Sequence, residues 1–309
     1  MSSSSTWEDA LNTMISEALR LSSRLTRPLS SVIYHKTKGN PLFVSQLMIS
    51  LNKEGLLRLS LRRRRWEWDM EKIQCQQLPD DVAKFLTNSL QALPREVKSS
   101  LCVLSCFGAS SKVSLVELLE RALNEQLQDN LDVAVKEGLI DKFDGHYRFS
   151  HDSVQEAFYN TMEVSVRCDC HFKYGMAITS ILNGESDRDD SIIFTAVNQF
   201  NLAGPESVKN KSQFVIIARL NLETGKKAMR MSDYDAAYIY FDTGIRFLRE
   251  KHWEQNYELS LELSDLAAKC ALTNGDIAHF KLSSQQVVEN ARSFEDKLNV
   301  VYLATCAQA

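Results

Sequence analysis

The stretch "LIDKFDGHYRFSHDSVQEAFYNTM", residues 139–162, decides the fold. Its first half reads as a strand, an Asp-Gly turn at Asp144-Gly145 and a second strand. Its second half places Val154, Ala157, Phe158 and Met162 on one helical face. Upstream, helical patterns run over 81–93, 95–106 and 115–137, and Gly138 closes the last of them. Three helices followed by a two-stranded wing is the order of a winged-helix module.

Working outward, 7–25 carries Leu11, Met14, Ile15, Ala18, Leu19, Ser22 and Leu25 on a single stripe, which predicts one helix. A second is expected from Ser30 to about Lys36, breaking at "TKGNPLF" (37–43). Asn40 precedes a proline and is biased out of the helical region, whereas Pro41 suits the first turn of a new helix. That helix buries Phe43, Leu47, Met48 and Leu51 and ends near Gly55. "LLRLSLRRRRWEWDM" (56–70) then reads as a β-hairpin with a basic turn, Arg62 to Arg65.

On the other side, 167–183 is helical and runs into the charged loop "NGESDRDDS". After Ser212 the chain is almost continuous helix. Gly225, Ala228, Ala237 and Gly244 alternate with Tyr234, Tyr240, Phe241, Ile245 and Leu248, the small/aromatic pattern of a tetratricopeptide-like (TPR-like) helix pair. "NGDIAHFKLSSQQVV" echoes "SDYDAAYIYFDTGI" about forty residues on. No polar capping helix follows, so the array reads as cut short. The fold class expected is mainly α: a helical lid with a β-hairpin (1–76), a winged-helix domain with a small β-wing and a following helix (77–183), and a TPR-like α-helical array (184–309).

Composition narrows the function classes. A net charge of −4 over 309 residues makes the chain as a whole no electrostatic partner for nucleic acid. No apolar run approaches the ~20 residues that span a bilayer. The start "MSSSSTWEDALNTM" lacks a basic n-region and an apolar h-region, and seven irregularly spaced cysteines read as reduced thiols. A cytoplasmic protein without a membrane partner is expected.

The candidate chemical motifs sort as follows. No G-x-x-x-x-G-K-[ST] loop is present, because Gly225-Lys226 lies inside a helix with no strand before it, and no Mg²⁺-holding carboxylate follows an apolar strand. The sequence therefore has no catalytic residues for ATP hydrolysis. A metal reading of His151-Asp152 needs further ligands, for which only His146 and Asp169 offer themselves. "CDCH" (168–171) lacks a second ligand pair and lies in a helical pattern, so no metal site is expected. The arginine run beside Trp66 and Trp68 has the charge and rings for nucleic acid. The helix that would enter a groove is acidic, however, with Glu125, Asp129, Asp132 and Glu137 against Lys136, so nucleic acid is not expected as a partner. Asp152 with Gln155 makes a capping-box pattern, which explains Asp152 but not His151. His151 stands at a strand-to-helix junction, beside free amides and the positive end of a helix dipole, where it can meet an anion.

The order "KTKGNPLFVSQLMISLNKEGLL", "WEWDMEKIQ", "LPDDVAKFLTNSLQALP", "LVELLERAL", "LDVAVKEGLI" and "YRFSHDSVQEAFYNTM" resembles the C-terminal part of signal-transduction ATPases with numerous domains (the STAND type, AAA ATPase-like). The subgroup is the one found between protein-kinase and histidine-kinase or cyclase domains, and "ARLNLETGKKAMRMSDYDAAYIYFDTGIRFL" resembles its following repeat. The resemblance runs from about Asn12 onward. It implies that Gly39, Asn40 and Pro41 form the lid segment whose proline packs near adenine. It further implies that His151 approaches the phosphates and favours the ADP-bound closed state, with Asp152 holding the local turn as a helix cap. The P-loop core of that family is not in the sequence, so ATP or ADP is expected only where an upstream P-loop domain is supplied. The function implied is a non-catalytic regulatory portion that senses nucleotide state and relays it through helical repeats to a kinase, histidine-kinase or cyclase-type effector. Two alternatives stand beside it: an interaction scaffold with no nucleotide role, and a winged-helix nucleic-acid binder.

Overall fold

The computed structural model describes residues 3–75, 93–182 and 190–307, which form two compact units. The first comprises Met1–Glu120 and Glu125–Thr161; Arg121–Asn124 group with Met162–Ala309 in the second. The chain is mainly α-helical, with small antiparallel sheets confined to the first unit.

The first unit opens with α1 (Ser3–Leu19) and α2 (Ser23–Thr37), which run antiparallel. The single helix expected over 7–25 is thus two, and the second begins seven residues before Ser30. Arg20 adopts φ +52°, and the Leu21 amide closes onto the Ser16 carbonyl at 2.9 Å, a left-handed helix stop that periodicity cannot reveal. Met14 and Leu25, counted in the apolar stripe, are exposed. The true core side is Leu11, Ile15 and Leu19 against Leu29, Ile33, Val44, Leu47 and Leu51. A polar knot ties the pair. Thr26 Oγ1 and Ser30 Oγ donate to Asn12 Oδ1 at 2.8 and 2.9 Å, both bonds buried, and Asn12 Nδ2 donates to the Ser23 carbonyl at 3.0 Å. Helix α3 (Pro41–Lys53) follows. The expected hairpin is then formed by β1 (Leu57–Ser60) and β2 (Arg65–Trp68), with Leu57 opposite Trp68, before α4 (Met70–Cys75).

The helix expected at 81–93 lies, but for Leu93, outside the described residues. Beyond it come α5 (Arg95–Ser105), β3 (Ser110–Lys112), α6 (Val113–Leu123), α7 (Leu127–Lys136), β4 (Ile140–Phe143), β5 (His146–Phe149) and α8 (Asp152–Thr161). The strands pair in the order β3-β5-β4, all antiparallel. The β4–β5 turn has φ +49° at Asp144 and +70° at Gly145, the type I′ geometry the Asp-Gly pair requires. Two features went unread. Strand β3 is "SSK", with nothing apolar to mark it. The pattern at 115–137 is two helices, because Asn124 turns left-handed (φ +53°) and Glu120 Oε2 accepts the Gln128 amide at 3.4 Å and its Nε2 at 3.0 Å.

The second unit is an all-helical array: α9 (Val164–Leu182), α10 (Asp190–Ala203), α11 (Lys211–Arg230), α12 (Tyr234–Leu248), α13 (His252–Gln255), α14 (Tyr257–Thr273), α15 (Ile277–Asn290) and α16 (Leu298–Cys306). Helix α10 starts inside what reads as a charged loop; the rest of that loop, 183–189, lies outside the described residues. Packing runs along the chain, with α9 on α10, α11 on α12, α12 on α14 and α14 on α15. The small/aromatic alternation has a steric cause. A methyl on Gly175 would stand 2.8 Å from the Phe200 ring, and one on Gly225 would stand 2.4 Å from the fully buried Phe241 ring. The sequence echo is structural as well. Asp233 Oδ1 caps the Ala236 amide at 3.0 Å, and Asp276 Oδ1 caps the His279 amide at 3.1 Å. Each aspartate follows a left-handed residue, Ser232 or Gly275.

Candidate functional site

The "TKGNP" turn is built by successive local rules. Lys38 (φ +53°) ends α2 in the left-handed region and Gly39 (φ +75°) continues it. Its φ favours glycine, and a methyl there would crowd the Tyr34 ring, with Cε2 at 3.0 Å. The Gly39 amide donates to Thr37 Oγ1 at 3.3 Å. Asn40 is the helix cap: its Oδ1 accepts the Phe43 amide at 3.2 Å and its carbonyl accepts the Val44 amide at 2.9 Å. Pro41 occupies the first helical position, where no amide is missed.

This turn forms one side of an open groove of about 570 Å³, whose other walls include Trp7, Tyr34, Lys36 and Phe43. Trp7 is 67% exposed, Lys38 and Pro41 are also open to solvent, and Lys36 Nζ donates to the Gln74 carbonyl at 3.1 Å. The groove therefore offers ring faces and cations, which suit a planar heterocycle bearing negative charge. Trp7 and Tyr34 escaped the sequence reading because no motif spacing links them to Pro41. An isolated indole at the start of a helix was the only signal.

His151 lies elsewhere in the same unit, exposed, between β5 and α8, and is not among the groove-lining residues. Its Nδ1 accepts the Ser153 amide at 3.1 Å and its carbonyl accepts the Val154 amide at 3.0 Å. With Nδ1 an acceptor, the neutral ring carries its proton on Nε2, which remains a donor. The capping box expected of Asp152 and Gln155 is not formed. Asp152 is the first residue of α8, the groups that accept the first helical amides are those of His151, and Gln155 Nε2 donates to the Ser105 carbonyl at 2.7 Å. The three site residues of the turn thus come together, while His151 and Asp152 form a separate helix start.

Of the remaining candidates, His146 and His171 have structural partners. His146 Nδ1 donates to the Asp144 carbonyl at 2.8 Å. His171 is buried and its Nδ1 donates to Gln199 Oε1 at 2.7 Å; burial, helped by Arg167, pushes its pKa down against that bond. Asp132 accepts from Lys142 Nζ and from the Tyr147 hydroxyl, both at 2.9 Å. The lysine's bond, then the tyrosine's, hold its carboxyl below the usual range. Among the described residues no cluster of three or more His, Cys, Asp or Glu side chains is arranged to hold a metal, and no helix is long and apolar enough to cross a membrane.

No family model matches the chain. It is 24% identical over 289 aligned residues to hybrid signal transduction histidine kinase G of Dictyostelium discoideum, a match covering 77% of this chain and 8% of that protein. The chain therefore corresponds to a small part of that relative's length. Among solved structures it is similar to a STAND protein with a tetratricopeptide repeat sensor from Pyrococcus horikoshii, at a TM-score of 0.49 and 12% identity, over 97% of this chain and 44% of that one.

Proposed function

We propose that the chain is the non-catalytic regulatory portion of a STAND-like signal-transduction ATPase. Residues 1–76 act as the lid, 77–183 as the winged helix with its following helix, and 184–309 as the TPR-like array. Gly39, Asn40 and Pro41 present the lid to the base of an adenine nucleotide. His151, its Nδ1 engaged by the helix it starts, offers Nε2–H to the phosphates, and Asp152 supports that helix start. The array carries the nucleotide state to a protein effector of the kinase, histidine-kinase or cyclase type.

The observation that carries this reading is the turn itself: a left-handed glycine, a capping asparagine and an exposed first-turn proline beside an aromatic, cationic groove. The shared segment with a signalling histidine kinase supports the setting. ATP or ADP would be held jointly with a P-loop domain, which this chain does not supply. The test is equilibrium ADP binding by the full-length gene product and its Pro41→Ala and His151→Ala variants. Loss of one hydrogen bond to a charged group predicts at least about tenfold weaker ADP binding for His151→Ala; unchanged affinity would sink the sensing role.

A second reading, an interaction scaffold with no nucleotide role, draws on the exposed Ile216, Ile239 and Leu282 of the array. Absence of any ADP-dependent change in thermal midpoint would favour it.

A further inference from the structure

The β1–β2 hairpin has an open edge in a charged setting. The Asp69 amide bonds the Leu56 carbonyl at 3.0 Å, which sets the alternation of the ladder. Arg58–Glu67 and Ser60–Arg65 are then the hydrogen-bonded pairs, and Leu57–Trp68 and Leu59–Trp66 fall between them. The amides and carbonyls of Trp66 and Trp68 consequently point away from β1, and among the described residues nothing bonds them. A groove of about 390 Å³ runs beside this edge, lined by Arg65 to Trp68 of the strand together with Leu21, Leu25 and Arg63.

Side chains alternate along β2. Trp66 and Trp68 pack toward Leu21 and the core of the first unit, while Arg65 and Glu67 take the opposite face. Arg58 and Arg62 to Arg65 are all exposed. Glu67 is shared by Arg63 (3.0 Å) and Arg65 (4.0 Å), and among the described residues Arg62 and Arg64 have no acidic partner. The edge thus joins unpaired strand donors and acceptors, an apolar floor and an excess of positive charge.

We propose that this edge captures an extended acidic segment of a partner protein by strand addition. The segment's backbone would pair with Trp66 and Trp68, its carboxylates would face Arg62 to Arg65, and alternate apolar side chains would rest against Leu21 and Leu25. The surface requires no nucleotide and is independent of the function proposed above.

The probe is a fluorescein-labelled ten-residue peptide of alternating glutamate and valine, followed by anisotropy with the intact chain. It is expected to bind, to weaken as salt rises, and to lose about tenfold or more in affinity when Arg62, Arg63, Arg64 and Arg65 are together replaced by serine. These residues are exposed, so circular dichroism of that variant should match the parent. Methylating alternate peptide amides should cause a comparable loss, because it removes the ladder donors. No binding at millimolar peptide, equal binding of the methylated peptide, or equal binding by the serine variant would each overturn the proposal. Tighter, arginine-dependent binding of decathymidylate would overturn it in favour of a single-stranded nucleic acid.

Discussion

Asn12 shows what a single residue does that no pattern announces. It sits on the buried side of α1 and accepts hydroxyls from Thr26 and Ser30, fourteen and eighteen residues away. Helical periodicity scores polar residues as surface, so this knot was illegible, whereas the local rules at Asn40 and Pro41 were read directly. Asn12→Ala removes three hydrogen bonds, leaving the Ser30 hydroxyl the Thr26 carbonyl at 3.0 Å and the Thr26 hydroxyl only the longer Ser23 carbonyl at 3.4 Å. It is expected to cost about 1–3 kcal/mol, seen as a lower urea midpoint at unchanged slope. At Gly225 two effects oppose each other. Alanine would gain about 0.5–1 kcal/mol of helix propensity, but its methyl meets a fully buried Phe241 ring that has nowhere to go. Overpacking wins, and Gly225→Ala should lose about 1–3 kcal/mol; a stabilised variant would show that the ring yields. The Asn40 cap is worth about 1 kcal/mol, so Asn40→Ala should lower the midpoint while Asn40→Asp largely preserves it.

Elements were legible where special backbone geometry coincides with glycine, and not where other residues adopt it. The Asp144-Gly145 turn and the stop at Gly138 were read correctly. The stops at Arg20 and Asn124 were not, since both lie among good helix formers and are fixed by backbone closure or by the Glu120 side chain. The α9–α10 pair carries a pH dependence. His171 is buried neutral with a lowered pKa, so the unfolded chain takes up a proton that the folded chain resists. Its contribution is complete above the ordinary histidine range and is lost as pH falls below about 6.5. Half-buried His252 of α13 is shifted the same way by burial and adds to the effect. Thermal midpoints measured from pH 7.5 to 5 should fall for the parent and fall less for His171→Gln. An equal drop in both would place the effect elsewhere.

At the scale of the whole molecule, the order of elements was the legible quantity: a helix-breaking turn, a hairpin, helices with a small antiparallel sheet, then a helical array. Each segment is short and ambiguous, but their succession constrains the fold as periodicity alone does not. What stayed illegible is the groove beside Pro41, since Trp7, Tyr34 and Pro41 meet only after α1, α2 and α3 have packed. The central claim is that nucleotide state sensed at His151 reaches the helical array. Hydrogen–deuterium exchange of the full-length gene product, with and without saturating ADP, tests it most directly. ADP is expected to slow exchange at the start of α8 and to alter exchange in α11 and α12, with both changes abolished by His151→Ala. Identical exchange in α11 and α12 with and without bound ADP, or changes there that survive His151→Ala, would contradict it.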